Sequence, residues 1–164
     1  MRLELNELVT MHPKLRGHPT DLAKFGSLAL QRSGHSSPVA AAVDHDGHEM
    51  TAEIIWRPQE LALLNVLDSN RVTEDGAEAV ALAYVSCKSS WVVKRRFQRG
   101  ERADWLLGND GRWLALEVSG SAAGDAFARL KEKKGQVAQC TLNTDEHLAV
   151  VVVFDRPSIA VGTP

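Results

Sequence analysis

The chain has 164 residues, of which 44% are hydrophobic and 24% charged, with a net charge of −2. This is the make-up of one soluble domain, long enough to fold around its own core without a disulfide or metal staple. The slightly negative balance excludes a protein that holds polyanions by overall charge, so any nucleic-acid contact has to come from a local patch.

Residues 1–37 are the least regular part. Leu3, Leu5, Leu8 and Val9 open an apolar segment that Pro13, Gly17 and Pro19 interrupt, and nothing there has the apolar core of a signal peptide. Asp21 to Gln31 reads as a short helix capped by Thr20 or Asp21, followed by a loop at Gly34 to Pro38. Val39 to Asp44 and Glu49 to Trp56 predict a β-hairpin turning at Asp46-Gly47. His45 and His48 then become cross-strand neighbours. With only Asp44 and Glu49 beside them they fall short of a structural zinc site and read as exposed turn residues. Glu60 to Leu67 is a short apolar helix or turn. Thr73 to Val85 is the clearest helix, with Thr73 as its cap and Glu74 and Asp75 in its first turn. Cys87 and Cys140 lack any CxxC pattern and read as reduced, buried thiols of a cytoplasmic protein. Trp91 to Phe97 is a strand that ends in a run of charges. Two more strands follow around Asp110-Gly111, then a small-residue loop at Gly120 to Gly124 and a helix from Asp125 to about Cys140. His147 to Phe154 is a β-branched run suited to a strand buried on both faces, and Leu148 to Phe154 is too short to span a bilayer, so no membrane partner is expected. Helices on both sides of a mixed sheet make this an α/β (α+β) protein. Residues 1–72 form an extension bearing the first hairpin within the same globule, and residues 73–164 form the core.

The chemistry concentrates in the second hairpin. A two-residue turn at Asp110-Gly111 sets Asp104 opposite Glu117, with Cβ atoms roughly 4.5–5.5 Å apart. Two like charges so placed need a cation, a proton or a basic side chain between them. The third acid is Glu78 or Glu74; Glu78 shares a helical stripe with Ala81 and Val85 and so faces the core. Glu74 is accounted for by a helix N-terminus. Oxygen ligands from a helix and two strands suit Mg²⁺; the plainer reading pairs Asp104 and Glu117 with Arg95, Arg96 or Arg102. Lys88, Lys94, Arg95, Arg96, Arg99 and Arg102, interleaved with Trp91 and Phe97, form a patch that could follow a phosphate backbone, or else a charge-protected edge strand. On the following helix Arg129, Lys133 and Gln136 lie on one stripe, either turned to the acids or as a solvated face with Phe127, Leu130 and Val137 packed inward.

The order of elements over residues 73–155, with these three acids, resembles the PD-(D/E)XK restriction-endonuclease-like nuclease superfamily. Glu78 matches its helix acid, Asp104 its hairpin Asp, and Glu117-Val118-Ser119 its Glu-x-Lys element. The resemblance implies a restriction-endonuclease-like mixed central sheet and Mg²⁺ (or Mn²⁺) held by Asp104, Glu117 and Glu78. It further implies metal-dependent cleavage of DNA or RNA, contacted by Lys94, Arg95, Arg96, Arg99, Arg102, Arg129 and Gln136. The family's lysine falls on Ser119, which cannot carry positive charge. One resolution takes the cation from the next helix, as Lys133 or Lys131, with Gln136 placed like the helix glutamine of the RecB-like branch. The other is a catalytically inactive binding protein, such as an accessory component of a bacterial defence or DNA-processing system. The whole segment from Thr73 through Gly120 also looks like a group of uncharacterised bacterial proteins. The first hairpin would serve substrate or homodimer contacts. A purely structural oligomer would instead place Trp56 or Trp91 at its interface.

Overall fold

Both Asp-Gly pairs adopt the turn their chemistry favours. In a computed structural model that describes all 164 residues, Asp46 and Gly47 take φ of 50° and 84°, and Asp110 and Gly111 take 46° and 81°. Paired positive φ values mark the tight turns whose twist matches that of the flanking strands. The first turn joins β2 (Val39–His45) to β3 (His48–Ile55), with His45 opposite His48. The second joins β5 (Trp105–Asn109) to β6 (Arg112–Ser121), with Asn109 opposite Arg112.

The remaining strands are β1 (Arg2–Glu4), β4 (Val92–Arg96), β7 (Glu146–Val153) and β8 (Ser158–Gly162). All eight form one mixed sheet in the order β1-β3-β2-β8-β7-β6-β5-β4, flanked by α1 (Leu8–Met11), α2 (Leu22–Arg32), α3 (Ser69–Ser89) and α4 (Ala126–Val137). Strand β8, which the composition does not announce, runs antiparallel to β7 and parallel to β2. It is the strand that joins the N-terminal hairpin to the rest of the sheet. Strand β1 adds to the far edge by parallel pairing with β3.

Side-chain alternation divides the core between the two faces. Leu114, Leu116, Val118, Val150 and Val152 pack with α2 and α3, whereas Ala115, Ala149, Val151 and Val153 lie in a separate cluster with Leu130 and Val137 of α4. Strand β7 is therefore buried on both faces, as its unbroken β-branched run requires. On α4 the inward positions are Ala126, Leu130 and Val137. Phe127, expected inside, is one residue out of phase and 56% exposed.

Helix α3 starts four residues before the expected Thr73. Asp68 caps it, its Oδ1 accepting the Arg71 N–H at 2.8 Å. Thr73 instead sits inside the helix, its hydroxyl donating to the Ser69 carbonyl at 2.9 Å. Helices α2 and α4 begin as expected, with Asp21 and Asp125 accepting backbone N–H groups of Lys24 and Phe127. Three expectations of surface and interior change. Cys87 is exposed and Cys140 half-buried, though both are free thiols. His45 is half-buried, its Nδ1 2.7 Å from the Tyr84 hydroxyl oxygen. Trp56 and Trp91 are buried within the chain at 3% and 5% exposure. No helix is long and apolar enough to cross a membrane.

Near the site α3 crosses β6 so closely that a Cβ on Gly120 would lie 2.4 Å from the Thr73 carbonyl oxygen, whereas a Cβ on Gly135 would meet nothing within 4 Å. Gly120→Ala is therefore expected to lower the unfolding free energy by about 1–3 kcal/mol through forced separation of helix and strand. Gly135→Ala, inside α4, should raise it by roughly 0.5–1 kcal/mol. Urea unfolding of the two variants measures both effects.

Candidate functional site

The β5–β6 ladder runs from Asn109–Arg112 to Trp105–Leu116 and stops there, one pair short of an Asp104–Glu117 opposition. Asp104 instead folds over the free edge of β6. Its backbone N–H donates to the Leu116 carbonyl at 2.9 Å, and its carboxylate Oδ2 accepts the Val118 N–H at 2.8 Å. A side-chain oxygen thus replaces the carbonyl that a continuing strand would supply, and Asp104 straddles Glu117 from the sheet edge.

Glu117 and Ser119 point to the α4 side of the sheet, where they are 8% and 1% exposed. The Arg129, Lys133, Gln136 stripe faces them. Lys133 Nζ donates to Glu117 Oε1 and to Gln136 Oε1, both at 2.8 Å. Arg129 Nε donates to Ser119 Oγ at 2.6 Å. Lys131, two residues from Lys133, is exposed and makes no ion pair. The positive charge beside Glu117 therefore comes from the helix above it, and Lys133 rather than Lys131 supplies it.

Glu78 is buried, as its stripe demands, but on the α3 side. Arg96 grips both its oxygens at 2.5 and 3.1 Å, and the same guanidinium lies 4.9 Å from the Trp105 ring centroid. The arginine pairing considered for Asp104 and Glu117 thus falls on Glu78. Burial outweighs Arg96 and pushes the Glu78 carboxyl up to about 7. Asp104 and Glu117 are also raised, chiefly by burial. For Glu117 the neighbouring Asp104 charge adds to it, while Val118 N–H opposes the rise at Asp104 and Lys133 opposes it at both.

The acid whose charge bears on both Asp104 and Glu117 is Glu74. Its Oε2 accepts the Gly120 N–H at 3.1 Å, and its Oε1 lies 3.6 Å from Arg129. A helix N-terminus no longer explains it, because α3 begins at Ser69 and leaves Glu74 beyond the first turn. Its spacing of four residues from Glu78 is the signal that could have identified it, since both lie on one helical stripe.

These groups open onto a cleft of about 480 Å³ whose lining includes Phe97, Arg99, Arg102, Asp104, Glu117 and Gln136. The basic run divides around it. Arg95 is paired with both Glu101 oxygens at 2.8 and 3.0 Å and lies over Phe97, and Arg96 belongs to Glu78. Arg95, together with the Gln98 N–H, holds the Glu101 carboxyl down at about 2. Arg99 and Arg102 are exposed at the cleft with no acidic partner, and Lys94 is likewise unpaired.

Asp104 Oδ1 and Glu117 Oε2 accept no hydrogen bond from the protein. No three His, Cys, Asp or Glu side chains converge closely enough to cage an ion. Two free carboxylate oxygens beside a cleft fit a cation that keeps most of its water and takes its other ligands from a substrate phosphate, as Mg²⁺ does. They do not fit an all-protein cage. Comparison with protein-family models, with curated proteins and with solved structures gives no match.

Because the Glu78 carboxyl titrates higher folded than unfolded, the folded state binds its proton more tightly between about pH 7 and 4.5. Its contribution to stability is present at low pH and is lost as pH rises through about 7. Relative to Glu78→Gln, the wild type should therefore gain on the order of 2 kcal/mol between pH 8 and pH 5. Chemical denaturation of both proteins at the two pH values reads out the difference.

Proposed function

We propose that the chain is a metal-dependent nuclease of restriction-endonuclease-like fold that hydrolyses phosphodiester bonds of DNA or RNA. The observation that carries this reading is the Lys133–Glu117 contact at 2.8 Å, beside a second, half-buried carboxylate, Asp104, with a free oxygen. It supplies from α4 the cation that Ser119 lacks. Asp104 and Glu117 would hold Mg²⁺ or Mn²⁺, which when bound lowers the pKa of water and offsets phosphate charge.

The chain's own groups supply the rest. Lys133 has three N–H donors and spends two on Glu117 and Gln136. The third is left to orient a water or a phosphate oxygen. Gln136 fixes the ammonium from behind, and Arg129 and the Gly120 N–H hold Glu74 against the pair. Arg99 and Arg102 bring positive charge to the cleft, where the phosphate backbone would enter. Glu78 and Arg96 tie α3 to the edge strand β4.

A second reading, a binding protein that does not cut, is favoured by one feature. Glu117, Glu74 and Glu78 each already face a basic side chain, so the site can be neutralised in part without a metal. Titration calorimetry with Mn²⁺ and a cleavage assay on single- and double-stranded DNA and RNA separate the two. Asp104→Ala should abolish Mn²⁺ binding and slow cleavage at least about 100-fold. Lys133→Ala should slow it by a similar factor while Lys131→Ala leaves it unchanged. Absence of Mn²⁺ binding in the wild type, or cleavage indifferent to Asp104→Ala, would leave the binding protein as the reading that stands.

A further inference from the structure

Trp113 is the one tryptophan left at the surface, 41% exposed near the start of β6. It lies on the α4 face, as Ala115 and Glu117 do, and borders a hollow of about 300 Å³ with Arg95, Leu106, Leu142 and Asn143. Asp145 beside it is turned to the backbone, its Oδ2 accepting the Trp113 N–H at 2.7 Å.

A second observation concerns β4. Val93 pairs with Leu107 and Arg95 with Leu106, so Lys94 is the extra residue of a β-bulge. A bulge re-aims side chains, and this one turns two consecutive cations, Lys94 and Arg95, toward the face of Trp113. Gly108, opposite Trp113, leaves the room this needs. A Cβ there would lie 2.5 Å from Lys94 Cε and 3.4 Å from the Trp113 ring. The lysine stem thus crosses bare backbone beside the indole and carries its ammonium to the rim.

We propose that this face is a track for a single strand of nucleic acid, with Trp113 stacking a base, Lys94 beside it, and Arg99 and Arg102 contacting phosphates at the cleft. The track rests on the nuclease reading only for its direction. Trp113 and Glu117 are four residues apart on one strand, about 13 Å, a span of a few nucleotides. The Thr141 N–H donates to the Glu101 carbonyl at 3.3 Å, joining the segment beside the hollow to the loop beside the cleft, and the strand would cross this bridge from one to the other. Arg95, paired with Glu101 and lying over Phe97, forms the wall of that bridge and is not a free contact. A duplex keeps its bases stacked on each other, whereas a single strand can lend one to an indole, and aromatic platforms flanked by cations are how such strands are held.

The test is equilibrium binding of fluorescein-labelled 16-mers of oligo-dT and oligo-U, and of a duplex of the same length, in chelator so that nothing is cut. The single strands should bind more tightly than the duplex and quench tryptophan emission. Trp113→Ala should weaken single-strand binding about tenfold and remove the quench, with Trp113→Phe restoring most of the affinity. Arg99→Ala/Arg102→Ala should lower the salt dependence by between one and two released ions. Circular dichroism checks that each variant is folded, and Lys94→Ala replaces Trp113→Ala should the latter not fold. Equal or tighter binding of the duplex, affinity unchanged in Trp113→Ala or in its Lys94→Ala replacement, or no binding at all would overturn the track. Arginine- and Trp113-dependent binding without any cleavage when Mg²⁺ is restored would sink the nuclease reading and leave the track standing.

Discussion

The hydrogen bond from Val118 N–H to the Asp104 carboxylate sets the arrangement of the whole site. Strand β6 is paired with β7 over its full inner length, from Leu114 to Ser121, but β5 covers its other edge only as far as Leu116. Beyond that point an unpaired N–H near the protein interior would cost free energy. A carboxylate meets that need and also leaves an oxygen and a charge at the spot where the sheet opens. Burial then raises the Asp104 and Glu117 carboxyls, with the Asp104 charge adding to the rise at Glu117 and the Glu74 charge adding to it at both. The local backbone problem and the local electrostatic problem share one residue.

The charges around that residue are sorted by face. On the α3 side Glu78 and Arg96 form a bidentate pair against Trp105 that occupies both carboxylate oxygens of Glu78. On the α4 side the pairing is open: one lysine serves Glu117, one arginine is shared between Ser119 and Glu74, and oxygens of Asp104 and Glu117 remain without protein donors. The three acids, from α3, the approach to β5 and β6, thus divide into one structural acid, Glu78, and two with spare capacity, Asp104 and Glu117. Strand alternation sends Arg95 and Arg96 to opposite faces, and the bulge at Lys94 sets the phase, so that Arg95 falls with Leu106 and Arg96 with Trp105.

Much of this was legible in the chain. Two Asp-Gly turns fixed two hairpins and their register, and the unbroken valine run marked β7 as doubly buried. The stripe of Arg129, Lys133 and Gln136 on α4 points as its spacing requires. What was not legible depended on competition between similar local signals or on tertiary pairing. Asp68 and Thr73 can each cap a helix, and the choice of Asp68 is settled by burial of Val72 in the added turn. That shift of one turn is why Glu74 looked like a helix-end acid and not a site acid. Strand β8 has only five residues and draws its stability from two partners distant in sequence, β2 and β7, so no local pattern announces it. The β4 bulge is likewise invisible until β5 is laid beside it.

Supplying the cation beside Glu117 from a helix has a structural condition that explains the small residues under α4. A lysine at position 119 would be held by the sheet itself. A lysine at position 133 reaches Glu117 only if the helix axis lies close to β6 and β7. The surface beneath α4 is made of Ala115, Ala149 and Ala160 with valines between them, and the helix contributes Ala126 as well as Leu130 and Val137. Short side chains on the sheet lower the helix onto it, so that an ammonium and a guanidinium one turn apart can both touch strand side chains. Close packing of α4 and placement of charge at Glu117 are thus one property: anything that lifts the helix by the width of a methyl group also withdraws Lys133 from its 2.8 Å contact.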